Sequence, residues 1–177
     1  KHPSEAVIVT LKIDSGDEDK GRLALVNILN EYTANYPNRF YCWTETAFPN
    51  TLVAAQSRMT SPTLGQARGK IVLMTRVDMS GAGESSLYSY TGPDLTKWDD
   101  SYKDRNHYAQ RIESESKVAV YIQDDYSSPD GNKKKQVFNT VYQLNGNLDQ
   151  GDSIRPQDFA FNYTSKTGSD HYGSTPL

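Results

Sequence analysis

A single cysteine, Cys42, stands in the 177 residues, so an internal disulfide is excluded, and so is a zinc centre built from several thiolates. No apolar stretch approaches the roughly 20 residues of a bilayer-spanning helix. No segment reads as a signal peptide, which a processed secreted chain would also lack. Lys and Arg number 19 against 22 Asp and Glu, a formal charge of -3. That balance gives no basis for expecting a nucleic-acid partner, though it leaves room for a local basic pocket. The phosphate-cradling GxxxxGK[ST] and the nucleophile turn GxSxG are both absent. The histidines His2, His107 and His171 show no metal-ligand spacing, and His2, beside Pro3, reads as a turn or helix-end residue.

What is present points to one soluble domain over 1–177. A chain of this length that is 36% hydrophobic and 23% charged can bury one sizeable core. Twelve tyrosines and two tryptophans are many for the length. They suit either a carbohydrate or interfacial surface or, as the default, half-buried rings with hydroxyls in water. Cys42 lies in "FYCWT" and reads as a core thiol rather than a nucleophile.

Strands are expected at Ala6–Lys12, Lys70–Arg76, Lys117–Asp124 and Gln157–Thr164, all rich in Val, Ile, Leu, Tyr or Phe. The first two are nearly continuous in apolar residues, as strands buried on both faces of a parallel sheet would be. Helical spacing places Leu25, Ile28, Leu29 and Tyr32 on one stripe, stopped by Pro37. A second helix carries Val137, Val141 and Leu144, with Phe138 and Tyr142 beside them and a stop at Gly146. The run Lys133–Lys135 reads as its solvated face. Strands alternating with helices suggest βα units, joined by long stretches rich in Gly, Ser, Asp and Tyr.

The strand candidates share one regularity: each ends in polar residues. These are Lys12 and Asp14, then Arg76, then Asp124 and Tyr126, then Asn162 and Ser165. In a βα barrel the site is assembled from the C-terminal ends of several strands. If these ends converge, the site holds two cations, two carboxylates and a tyrosine. Cations suit a phosphate, and carboxylates beside them suit a polyhydroxylated ring, so the combination points to a sugar-like or inositol-like phosphate. The alternative is a set of unrelated surface ion pairs. "NYT" at Asn162 matches the glycosylation acceptor pattern, but a buried strand would not expose it.

The segments "KHPSEAVIVTLK", "LGQARGKIVLMTR" (Leu64–Arg76), "VAVYIQDDY" (Val118–Tyr126) and "FAFNYTS" (Phe159–Ser165) resemble, in order, those of the bacterial and fungal single-domain phosphatidylinositol-specific phospholipases C. The resemblance implies an α/β fold, a (βα)8 TIM-type barrel. This chain would supply roughly strands 4 to 7 with their helices, without the N-terminal strands and the last one. Lys12, Arg76, Asp124 and Tyr126 then fall where the family contacts the inositol ring, the tyrosine by stacking. Asp14 falls where relatives carry a glutamate. Trp98 and Asp100, in "KWDDSY", fall where similar enzymes keep a Trp and an Asp near the pocket mouth. Tyr172, in "SDHYGSTP", is placed on a rim that meets lipid.

The family reaction is attack of the inositol 2-hydroxyl on the phosphodiester, which gives diacylglycerol and a cyclic inositol phosphate. Its two catalytic histidines and an arginine belong to earlier strands whose motifs do not occur here. The chain itself is therefore expected to hold no catalytic histidine, only the substrate-reading residues. An ammonium at Lys12, where calcium-dependent relatives hold a carboxylate ligand, favours a metal-independent site; calcium remains possible if Lys12 is not at the site. The implied partners are phosphatidylinositol or glycosylphosphatidylinositol lipids, a transient membrane surface and the remaining part of the barrel, and the implied location is extracellular. Two rivals stay open: a non-catalytic barrel that binds inositol phosphates or glycans, and a metal-dependent phosphodiesterase on another phospholipid.

Overall fold

The computed structural model describes residues 4–13, 18–44, 54–55, 57–79, 87–99, 109–112, 118–124, 130–144, 155, 158–162, 166–167 and 174–175. The chain forms two compact units, Lys1–Lys97 with Glu113–Ala119, and Trp98–Ile112 with Val120–Leu177. Among the described residues no helix is long and apolar enough to cross a membrane.

The first unit is built on a parallel pair. Strand β1 (Val7–Leu11) runs beside β2 (Ile71–Thr75) in the register Val7 to Ile71 through Leu11 to Thr75. Between them lie helix α1 (Glu18–Asn35), a 3-10 turn at Pro37–Arg39 and the one-turn helix α2 (Leu64–Ala67). Thr63 caps α2: its hydroxyl accepts from the Gln66 N–H, and the Gln66 side chain accepts from the Thr63 N–H. Gly69 then reverses the chain at φ 71° and its N–H donates to the Glu5 carbonyl at 2.7 Å. A residue with a Cβ resists that φ. The turn aligns the start of β2 with the start of β1.

Strand β2 is dry, with Val72, Leu73, Met74 and Thr75 all buried. Its second edge presents the carbonyls of Ile71, Leu73 and Thr75. Ile71 O accepts from the Tyr41 N–H at 2.9 Å, and Thr75 O accepts from the Leu95 N–H at 3.0 Å. Between them, among the described residues, no backbone donor serves Leu73 O; the Trp43 indole N–H fills the gap at 3.1 Å. The fully buried Trp43 ring also meets Tyr41 edge-on, with centroids 5.4 Å apart. Gly92 makes room for it. At φ 68°, a Cβ on Gly92 would lie 2.5 Å from Leu73 O and 2.9 Å from the indole.

The second unit centres on β4 (Val120–Gln123), which pairs antiparallel with β3 (Gln110–Ile112) and parallel with β5 (Phe159–Asn162). Helix α3 (Asp130–Leu144) makes the crossover from β4 to β5. Arg155 and Asp158 form a two-pronged ion pair, with bonds of 3.1 and 3.0 Å, that closes the turn into β5. The two-residue strands β6 (Lys166–Thr167) and β7 (Ser174–Thr175) pair antiparallel.

The expected strands are present at β1, β2, β4 and β5, and the parallel pairings agree with βα units. Several expectations are corrected. Strand β1 is not buried on both faces, since Val7 and Ile8 are 52% and 48% exposed. The buried stripe of α1 is Val26, Leu29 and Thr33, while Ile28 and Tyr32 face outward. Thr33 tolerates burial because its hydroxyl donates to Leu29 O at 2.7 Å. On α3, Thr140 is buried, whereas Phe138, Val141 and Tyr142 are exposed. Tyr41, Tyr88, Tyr90 and Tyr121 are buried rather than half-buried. Strand β3 was not expected at all.

Replacing the indole should orphan a buried carbonyl. Trp43→Phe is expected to lower unfolding stability by about 1–3 kcal/mol from the lost hydrogen bond alone, read as a lower urea midpoint. Gly92→Ala should cost about 2 kcal/mol or more, because the left-handed backbone and the clash act together; an unchanged midpoint would remove Gly92 from the packing of Trp43. Tyr90 gives a pH test. Burial first, and the neighbouring Cys42 thiol second, push its phenol above the ordinary 10.0. The neutral phenol is thus the form that folding favours, so its contribution is complete below pH 10 and is lost as pH rises through the folded-state value. Tyr90→Phe should flatten that alkaline limb in urea melts taken from pH 9 upward.

Candidate functional site

The two cations expected at strand ends are adjacent. The Arg76 N–H donates to Leu11 O at 2.8 Å, which carries the β1–β2 ladder one step past the Leu11–Thr75 pair. Lys12 and Arg76 are therefore the next residues along neighbouring parallel strands, at their C-terminal ends. Lys12 is exposed and Arg76 half-buried. On the other side of β2, Thr75 bridges to Asp94, whose carboxylate accepts from the Thr96 N–H at 2.9 Å. Asp94 is thus a third charged residue at this end of β2. Its signal in the sequence is "PDLT", an aspartate that can close an Asx turn on the residue two places on.

The second unit brings together two residues that the sequence reading placed separately. The Trp98 indole N–H donates to Asp124 Oδ2 at 3.1 Å, and both side chains are buried. A buried carboxylate without hydrogen bonds is costly, and a donor fixed on a rigid ring meets that need at one oxygen. Neighbouring bonds hold the two carriers. Gln110 Oε1, on β3, accepts from the Asp99 N–H at 2.9 Å and ties down the loop just after Trp98. Gln123, the residue before Asp124, donates to Gln136 Oε1 of α3 at 3.3 Å. Trp98 is a buried partner of the carboxylate. Gln110 was passed over in the sequence, because nothing near it marks a strand.

Asp14, Asp100, Tyr126 and Tyr172 lie outside the described residues. Cys42 is half-buried, with Sγ 3.9 Å from Thr44 Oγ1. Among the described residues no group of three or more His, Cys, Asp or Glu could hold a metal ion.

No protein-family model matches the chain, and no curated protein does. Solved structures of the phosphatidylinositol-specific phospholipase C of Staphylococcus aureus are similar to it. A form carrying pentafluoro-Phe superposes with TM-score 0.54 at 20% identity, over 97% of this chain and 49% of that one. A double mutant gives 0.55 at 20% identity over the same shares. A form solved in work on modulation of its membrane binding gives 0.53 at 20% identity, again over 97% and 49%. The chain spans about half the length of these structures. At this identity the likeness is one of fold, and the fold is phosphatidylinositol-specific phospholipase C-like.

The Trp98–Asp124 bond is open to a double-mutant cycle. Trp98→Phe keeps most of the ring and removes the donor, and Asp124→Asn removes the charge. A coupling of about 1.5–3 kcal/mol is expected for a hydrogen bond to a charged acceptor, measured by urea unfolding. Additive effects would show that the contact carries no energy of its own.

Proposed function

We propose that this chain is the inositol-reading part of a barrel that cleaves phosphatidylinositol or its glycan-linked derivatives to diacylglycerol and inositol 1,2-cyclic phosphate. The observation that carries the reading is the placement of Lys12 and Arg76 as register neighbours at the C-terminal ends of a parallel pair. In α/β folds that end is where ligands are held. The solved structures of similar fold lend the substrate class.

The roles follow from chemistry. Arg76 offers a planar fork of donors and Lys12 a compact ammonium, which suit ring hydroxyls and the phosphate. Asp124 accepts hydroxyl protons, with Trp98 setting its orientation. Tyr126 stacks on the ring, Asp14 orients Lys12 or a hydroxyl, Asp100 lies near the pocket, and Tyr172 belongs to the lipid-facing rim. The acid and base for the transfer would come from histidines elsewhere in the barrel. An ammonium at Lys12 disfavours a divalent cation, so the proposed site works without metal, in an extracellular enzyme.

Binding tests this without requiring turnover. Titration with myo-inositol 1-phosphate, followed by NMR, should saturate and be indifferent to EDTA. Arg76→Ala should weaken it by about 10- to 100-fold, the equivalent of one or two lost charge-assisted bonds. Equal affinity in the variant would remove Arg76 from the site, and loss of binding with EDTA would favour a metal-dependent phosphodiesterase.

A further inference from the structure

Where α1 ends, the chain folds around a recess of its own. Asn35 is the last helical residue, Tyr36 leaves helical geometry at φ -134°, and Pro37–Arg39 form the 3-10 turn. Residues 35–39 line a cleft of about 370 Å³, within the size range of small-ligand sites. Backbone bonds brace it. The Tyr36 N–H donates to Tyr32 O, and the Arg39 N–H donates to Tyr36 O, both at 2.9 Å. Phe40, the next residue, is buried and bridges in parallel to Ile71, the first residue of β2. The cleft thus adjoins the N-terminal end of β2, whereas Arg76 follows its C-terminal end, about 16 Å further on at the rise of a strand.

The lining restricts the class of ligand. Asn35, Asn38 and Arg39 are exposed, and among the described residues their side chains make no hydrogen bond or ion pair. The two amides both donate and accept, and the guanidinium donates through a planar fork. Tyr36, 54% exposed, adds an aromatic surface, and its ring leans on that of Tyr32 with centroids 6.1 Å apart at 41°. An apolar ligand would strip water from three polar groups and return no bond to them. A bare anion would be served by Arg39 but would leave the amide oxygens without donors. A sugar meets every group. Its vicinal hydroxyls donate to the amide oxygens and accept from the N–H groups, and its C–H face suits the negative face of an aromatic ring. The fixed φ of Pro37 and the backbone braces hold these groups in place before a ligand arrives.

We propose that the cleft at residues 35–39 is a binding site for a neutral pyranose unit of a glycan, separate from the strand ends of Lys12 and Arg76. It does not depend on the inositol reading. Titration with cellobiose, maltose and chitobiose, followed by NMR at the side-chain amides of Asn35 and Asn38 and at Arg39 Nε–H, should saturate for at least one sugar. The affinity should be roughly millimolar, as a few bonds in an open cleft provide. Tyr36→Ala should weaken it about tenfold, whereas Tyr36→Phe should keep it, because the ring and not the hydroxyl makes the contact. Arg39→Ala should also lose about tenfold, the scale of one charge-assisted hydrogen bond. Saturating myo-inositol 1-phosphate should leave the sugar affinity unchanged. The absence of saturable shifts with all three sugars overturns the proposal, as does equal affinity in wild type and Tyr36→Ala. Displacement of the sugar by myo-inositol 1-phosphate overturns it too, since the sugar would then be bound at the strand ends.

Discussion

A strand paired on both edges and removed from water must satisfy every backbone carbonyl, and β2 meets that condition only through a side chain. Its three outward carbonyls need three donors, and the segments alongside supply two from their backbones. The Trp43 indole supplies the third. Much of the first unit follows from this one bond. Trp43 must reach the strand, so Tyr41 packs against its edge. The chain at Gly92 must pass close beneath it, so only glycine fits. The strand end that carries Arg76 is then held from both sides, by Leu11 and by Leu95. An unsatisfied carbonyl in the middle of β2 would loosen the element that fixes where that cation sits.

The two units present their charged groups in opposite ways. Lys12 and Arg76 stand at a strand end, the first exposed and the second half-buried. Asp124 is enclosed, with one oxygen committed to a rigid indole. Its carboxylate is clamped by Trp98, and the bonds of Gln110 and Gln123 hold the two carriers, so the fold fixes its position.

The sequence made legible those parts whose cause is local. β-Branched and aromatic runs announced β1, β2, β4 and β5, and polar residues just beyond them marked Lys12, Arg76 and Asp124. The burial of α1 was misjudged because its apolar arc is wider than the arc that the core covers. A stripe through Leu25, Ile28 and Tyr32 competes with one through Val26 and Leu29, and Thr33 joins the core only because its hydroxyl bonds back to its own helix. Strand β3 was illegible for a different reason: "QRI" has no strand signature and acquires one only from its partner. The Trp98–Asp124 bond joins residues 26 apart, a distance over which no periodicity speaks.

That short antiparallel pair also bears on the order of assembly. Strands β3 and β4 meet across a short loop, whereas the pairing of β4 with β5 must wait for the whole α3 crossover, and β1 with β2 for a longer one still. Closing a loop costs entropy that rises with its length, and contacts of long range form late. The hairpin thus gives β4 a partner on one edge before its parallel neighbour can arrive, shielding a segment of four buried residues during the interval when it would otherwise offer two bare edges to other chains. A strand of three unremarkable residues would then owe its place to the time course of folding as much as to the finished structure.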